Sequence, residues 1–126
     1  MPPIAQVFAL VAAALHVVFF YFESVTFTRP EVWRRFGLET QAQADTVRPM
    51  AFNQGFYNLF LAGGIVVGLG LIAAGQTDAG RAIVLFACAC MVLAGIVLIA
   101  TSRAMLRAAL LQLVAPLLAI VATVVL

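Results

Sequence analysis

Four long apolar stretches, separated by more polar segments, dominate the hydropathy pattern of the chain. Those without a formal charge run from Ile4 to Phe22, from Met50 to Gly75, from Ala82 to Ala100 and from Ala108 to Leu126. A helix rises about 1.5 Å per residue, so each stretch is long enough to cross a hydrocarbon layer of about 30 Å. Because backbone groups in lipid must find partners within their own segment, each stretch is predicted to be helical.

The predicted fold is therefore all-α, a four-transmembrane-helix bundle. Residues 1–126 form a single integral membrane domain, with transmembrane helices at about 4–25, 50–75, 81–101 and 104–126. The second and third connections are short, so helices two, three and four are expected to be antiparallel neighbours. The first stretch is too long for a typical signal-peptide core and follows no basic residue, so we expect it to stay attached.

The first connection is longer and is predicted to contain a short amphipathic interfacial helix at about residues 30–37. Pro30 suits a first helical position and Gly37 suits a helix end. Trp33 lies on an apolar face with Val32 and Phe36, and it is the expected interfacial anchor. The basic residues beside it, Arg34 and Arg35, lie off this face. A plain polar loop is the alternative interpretation.

Composition and charge support a membrane location. Hydrophobic residues make up 65% of the chain and charged residues only 10%, whereas about a quarter of the residues in soluble domains are charged. A net charge of +2, dispersed along the chain, excludes the basic stripe of a nucleic-acid binder. Membrane lipids are the expected surroundings.

Arginine placement predicts the orientation. The first connection holds Arg29, Arg34, Arg35 and Arg48, and Arg103 and Arg107 flank the third, whereas the second has only Arg81. The positive-inside rule then puts the first and third loops in the cytoplasm and both termini outside. We expect a multi-pass protein of the bacterial inner membrane.

Polar residues within the apolar stretches are the candidate ligand-binding residues, because such groups are costly at membrane depth. If Glu23 is level with about Phe52, two polar layers follow. The outer layer has Glu23, Asn53 and Gln54, and the inner layer has His16, Asn58 and Gln112, with Tyr57 on the same face as Asn53. The third helix contributes only Ala94 and Gly95 at this depth, which leave room. We infer a polar pocket that opens toward the cytoplasm between helices one, two and four.

A purely structural interpretation of these residues is at least as well supported. Hydrogen bonds among Asn, Gln and His commonly hold helix bundles together, at about 1 kcal/mol each. Tyr57 is equally consistent with an aromatic residue of the interfacial belt. Glu23, near the headgroups, is equally consistent with a solvated carboxylate.

Small residues in the second and third helices suggest packing rather than chemistry. Gly64 and Gly68 have the spacing that lets helices approach closely, against either the third helix or a second copy of the chain. Cys88 and Cys90 point in different directions on one helix and are expected to be packing residues. No catalytic motif and no metal-ligand set is present. The cofactor is unknown, and enzyme action has no support.

Two segments resemble a bacterial family of small four-span membrane proteins of unknown function, the domain of unknown function 1304. They are the stretch from Leu15 to Glu23 and the block from Asn53 to Gly64, which reads Asn-Gln-Gly-Phe-Tyr-Asn-Leu-Phe-Leu-Ala-Gly-Gly. The family motif in helix one usually has Glu directly before the His, and here Leu15 takes its place. This departure argues against a role that needs adjacent Glu and His, such as a strong metal site. The resemblance implies a four-helix inner-membrane protein and no established activity.

Three functions remain open from the sequence. The first is binding or transport of a small amphiphilic molecule in the polar pocket, with a homo-oligomer packed on the glycine face as one arrangement. The second is a non-catalytic scaffold or accessory subunit. The third and least supported is an enzyme acting on a lipid or quinone, with His16 as proton carrier.

Overall fold

In the computed structural model, which describes residues 1–126, the chain is almost entirely helical and has no strands. The predicted four-helix architecture is confirmed, since four helical segments are long and apolar enough to span a membrane. The chain is thus a multi-pass membrane protein. Its five α-helices are α1 (Pro3–Phe20), α2 (Pro30–Trp33), α3 (Gln41–Ala73), α4 (Thr77–Thr101) and α5 (Leu106–Val125). Of these, α1, α3, α4 and α5 are the four spanning helices.

The spanning helices form a square in which each packs against two neighbours. Helix α1 lies between α3 and α5, and α4 completes the ring on the opposite side. The shared core contains mainly small side chains, with Ile65 and Met91 as the largest apolar residues fully buried in it. Because small residues let helices approach closely, dispersion contacts can hold the bundle together without a hydrophobic driving force in lipid.

Helix α1 does not end at Phe20 but continues as a π-helical turn, Tyr21–Val25. The turn is closed by the Thr26 amide, which donates to the Tyr21 carbonyl across 3.0 Å. Such wide turns are rare, and they change the direction of the side chains that follow. This turn carries Glu23. The hydropathy pattern does not indicate a π-helical turn at this position.

The sequence pattern predicts that the second spanning helix starts at about Met50. In the structure α3 begins at Gln41, about two and a half turns earlier. Thr40 caps it, because its hydroxyl accepts a 3.2 Å hydrogen bond from the Gln43 amide. The Gln43 side chain in turn accepts a 2.9 Å bond from the Glu39 amide. This Thr-x-x-Gln spacing resembles a capping box and is the signal that predicts the true start. Pro49 lies inside the helix without ending it.

The first connection folds back onto the base of α3. As predicted, Pro30 begins the short helix α2, and Gly37, at φ +78°, ends the 3-10 turn that follows. Trp33 is only 3% exposed and packs in a small cluster with Phe27, Ala44 and Ala51. A membrane anchor needs an exposed ring, so this burial corrects the expected role of Trp33.

The basic neighbours of Trp33 remain exposed. The Arg34 guanidinium lies 5.4 Å from the centre of the Trp33 ring, and that of Arg35 lies 5.2 Å from the centre of Phe22. Both side chains therefore cover aromatic surface while their charges stay accessible. Their assignment as interfacial residues stays a prediction.

Helices α3 and α4 of the same chain approach closely at Gly68. A Cβ added to Gly68 would lie 2.6 Å from Val84 Cγ2 and 2.8 Å from the Gly80 carbonyl oxygen. Gly64 is looser, since its added Cβ would lie 3.8 Å from that of Ala87. Of the two partners considered for the glycine face, the structure shows the neighbouring helix.

Candidate functional site

Glu23 and Asn58 form a hydrogen bond that joins α1 to α3 inside the bundle. Asn58 Nδ2 donates to Glu23 Oε1 across 2.6 Å, and both residues are buried. An amide N–H only donates, so the Glu23 oxygen is the acceptor. Glu23 is therefore not a carboxylate solvated among the headgroups.

The backbone of α3 lies unusually close to the π-helical turn at this point. Ser24 Oγ donates a 2.8 Å hydrogen bond to the Phe52 carbonyl. A Cβ at Gly55 would overlap Ser24 Oγ, so only glycine fits there without a shift. Gly55 thus allows the approach that brings Glu23 within reach of Asn58.

The two predicted polar layers are not separate, because Glu23 of the outer layer bonds directly to Asn58 of the inner layer. The level of Glu23 near Phe52 is close to that expected, but its carboxylate reaches Asn58 instead of Asn53. In a helix, side chains lean toward the N-terminus. Because α1 and α3 run in opposite directions, Glu23 leans into the bundle and Asn58 leans back toward it. Positions along the helix axes alone do not reveal this convergence.

A cavity of about 290 Å³ lies beside this hydrogen bond. All four spanning helices contribute to it, together with Phe36 from the first connection and Met105 from the third. It therefore lies at the arginine-rich end of the bundle. The lining residues are Phe19, Glu23, Phe36, Gln54, Asn58, Ala94, Val97, Leu98, Met105, Ala108 and Gln112.

Four of the seven candidate residues line this cavity, namely Glu23, Gln54, Asn58 and Gln112. Pro116 lies four residues after Gln112 and lacks an N–H, so the Gln112 carbonyl also loses its usual helical donor. Gly95 leaves no space, because a Cβ there would lie 2.8 Å from that of Leu113. The assignment of the four residues to ligand binding stays a prediction.

Two candidates on α3 face away from the cavity. Tyr57 is 59% exposed and Asn53 is also exposed on the outer surface of the helix. Neither belongs to the lining. Their side chains share a face with each other, as predicted, but that face points out of the bundle.

His16 is fully buried and lies outside the cavity lining. Its Nδ1 lies 2.8 Å from the Ala12 carbonyl oxygen. A carbonyl only accepts, so Nδ1 carries the proton and donates it. Nε2 is buried with no hydrogen-bond partner. His16 packs edge-on against Phe19, with ring centres 5.1 Å apart.

Sequence reasoning missed the aromatic part of the cavity wall. The sequence pattern places Phe36 on the apolar face of the interfacial segment, and the fold turns this face toward the bundle. Phe19 lies one turn before Glu23 and was hidden among other apolar residues. The amphipathic face of α2 was the available signal for Phe36, and none existed for Phe19.

Metal-ligand geometry is absent from the structure. No group of three or more His, Cys, Asp or Glu side chains could hold an ion. Cys88 and Cys90 are both free, the first buried and the second half-buried. A role for these cysteines other than packing has no geometric support.

One family profile, described as "Protein of unknown function (DUF1304)", matches residues 10–124. The chain belongs to this family. The DUF1304 match also covers α4 and most of α5, beyond the two segments that carry the motifs. No curated protein matches the chain, and no solved structure does.

Proposed function

We propose that this DUF1304 protein binds a small amphiphilic molecule in the cavity beside Glu23. The observation that carries the proposal is the buried Glu23 carboxylate, which has one partner, Asn58, and lines an otherwise largely apolar space. Ligand pockets commonly combine an apolar wall with a few polar groups. The cavity, at about 290 Å³, is near the lower end of the range for such pockets, roughly 300–1,000 Å³.

The lining favours a ligand with a positively charged or donating head and a short apolar tail. Glu23 is the only charged side chain in the lining, and Gln54 and Gln112 add amide groups that both donate and accept. The rings of Phe19 and Phe36 also attract a cation. Binding is the function we propose. Transport would also require a second opening of the cavity, on the other side of the membrane.

The topology proposal follows from the charges. The cavity lies at the end of the bundle that carries the first and third connections and most of the arginines. We place this end in the cytoplasm and both termini outside, in a bacterial inner membrane. A periplasm-active phosphatase fused after Leu126 should then be active and a fused green fluorescent protein dark. The reverse pattern would refute the orientation.

A matched set of probes tests the binding site. Hexylammonium, hexanol and hexanoate share a tail and differ in the charge of the head. With protein in nanodiscs, hexylammonium should raise the unfolding temperature most and hexanoate least. The variant Glu23→Gln should remove this order, whereas Asn53→Gln, on the outer face of α3, should retain it. Equal responses to all three probes, or an unchanged order in Glu23→Gln, would refute the site.

A scaffold role is the second candidate, and one observation favours it. The Glu23–Asn58 and Ser24–Phe52 hydrogen bonds both tie the end of α1 to α3. If these hydrogen bonds serve packing only, Asn58→Leu should lower the unfolding temperature. None of the three six-carbon probes should then shift the unfolding temperature of the wild type.

A further inference from the structure

A continuous groove runs along the outer seam between α1 and α5. Its wide part, of about 630 Å³, lies near the arginine-rich end and includes Arg35, Phe22 and Arg107. A second part, of about 520 Å³, continues toward the other end between Val11 and Leu118. Arg107 and Leu111 line both parts, so the two form one surface.

Charge is distributed unevenly along this groove. Arg35 and Arg107 are the only charged residues in its lining, and no carboxylate faces them there. Both lie in the wide part, and nearly all the remaining lining is apolar. The groove therefore has a cationic head region and a long apolar tail region.

The dimensions fit one lipid chain. Along α5, the groove extends from Arg107 to Leu118, which is about 16 Å at the rise of a helix. Half of a bilayer's hydrocarbon core is about 15 Å thick. Because the two arginines lie where the helices leave the apolar layer, a chain that starts beside them would end near the bilayer centre.

We propose that this groove binds an anionic phospholipid, whose phosphate lies between Arg35 and Arg107 and one of whose acyl chains lies along the α1–α5 seam. Guanidinium groups form strong charge-assisted hydrogen bonds to phosphate oxygens. Anionic lipids are enriched where juxtamembrane basic residues attract them. The groove lies on the outer surface and the proposal does not depend on a ligand beside Glu23, although the two spaces share part of their wall, including Phe19 and Phe36.

Native mass spectrometry of detergent-purified protein, with added phosphatidylglycerol or phosphatidylcholine of identical chains, tests the proposal. One phosphatidylglycerol per chain should bind with at least about tenfold higher affinity than phosphatidylcholine, because both lipids carry a phosphate but the choline cation cancels the net charge that attracts the two arginines. The double variant Arg35→Gln/Arg107→Gln should abolish this preference. The control Arg34→Gln/Arg103→Gln makes the same charge change at the same end but outside the groove, and should keep it.

A second pair of variants tests the apolar part and does not alter charge. Val11→Trp should fill the groove and weaken phosphatidylglycerol binding, whereas Val18→Trp, exposed on α1 outside the groove, should not. If the double arginine variant fails to fold, the proposal is tested by the two Trp variants and by the affinities of the wild type for the two lipids. Glu23→Gln should leave lipid selectivity intact, which separates this test from that of the cavity.

Three results would overturn the proposal. The first is equal affinity for the two lipids in the wild type. The second is binding of glycerol 1-phosphate, which lacks acyl chains, as tight as that of the lipid, since the site would then serve a free phosphate compound. The third is a lipid-free dimer whose dissociation follows Val11→Trp, since a second copy would then cover the groove.

Discussion

Asn58 Nδ2 lies 2.6 Å from Glu23 Oε1, although 35 residues separate them in the chain. The bond forms between two antiparallel helices at the level of a π-helical turn, and both residues are buried. A buried acceptor that loses its donor pays its full desolvation cost. This pair therefore links the stability of the bundle to the chemistry of the cavity.

The variant Asn58→Leu should lower the free energy of unfolding by about 1–3 kcal/mol, because Glu23 then stays buried without its donor. Glu23→Gln should cost less, since a side-chain amide oxygen still accepts from Asn58. Unfolding in mixed micelles, followed by circular dichroism, measures both. Asn53→Leu is the control, because Asn53 is exposed on the same helix and its loss should be close to neutral. Equal effects of Asn58→Leu and Asn53→Leu would show that the bond does not stabilise the fold.

The sequence predicted the four spans because apolar composition over twenty residues directly reflects the bilayer's thickness. It also predicted the polar residues that line the cavity, because such residues stand out in apolar stretches. It did not predict which of them meet. That depends on the π-helical turn at Tyr21–Val25 and on the close approach at Gly55, and both arise from interhelix packing.

Gly68 should be far less tolerant of a methyl group than other glycines of α3. A Cβ there would meet Val84 and the backbone of Gly80, so Gly68→Ala should destabilise the protein by about 1–3 kcal/mol through overpacking. Gly63 and Gly70 have nothing within 4 Å of an added Cβ. Gly63→Ala and Gly70→Ala should be neutral or stabilising by up to about 1 kcal/mol, as expected from helix propensity.

Thermal unfolding of the three variants in the same detergent measures this order. A tolerant Gly68→Ala would mean that α3 and α4 are not as close as the structure has them. Size-exclusion chromatography with light scattering on the same variants reports the oligomeric state, and loss of a dimer in Gly63→Ala alone would place a second copy against Gly63.

Trp33 is the only tryptophan, so its fluorescence reports on the first connection alone. Its ring is buried, and its Nε1 donates a 3.3 Å hydrogen bond to Gln41 Oε1. We expect weak quenching by acrylamide from water and by brominated lipids from the bilayer. Phe27→Ala should open the cluster and increase acrylamide quenching, whereas Phe86→Ala, exposed on α4, should not.

Strong quenching by brominated lipid in the wild type would restore the role of membrane anchor. The sequence placed Trp33 at the interface because an aromatic beside basic residues is typical of such anchors. In the structure the first turns of α3 cover the Trp33 ring. Hydropathy does not reveal these turns because they are polar.

His16 offers a last test, since its two ring nitrogens have opposite environments. Nδ1 donates to the Ala12 carbonyl, and Nε2 is buried without a partner. Nitrogen NMR of the single histidine should therefore show a protonated Nδ1 and a bare Nε2. His16→Leu should change the free energy of unfolding by less than about 1 kcal/mol or stabilise the protein, because it removes the unpaired acceptor together with one modest hydrogen bond. A loss of unfolding free energy well above about 1 kcal/mol would mean that Nε2 has a hydrogen-bond partner within the membrane. If the NMR spectrum also showed a proton on Nε2, that partner would be an acceptor.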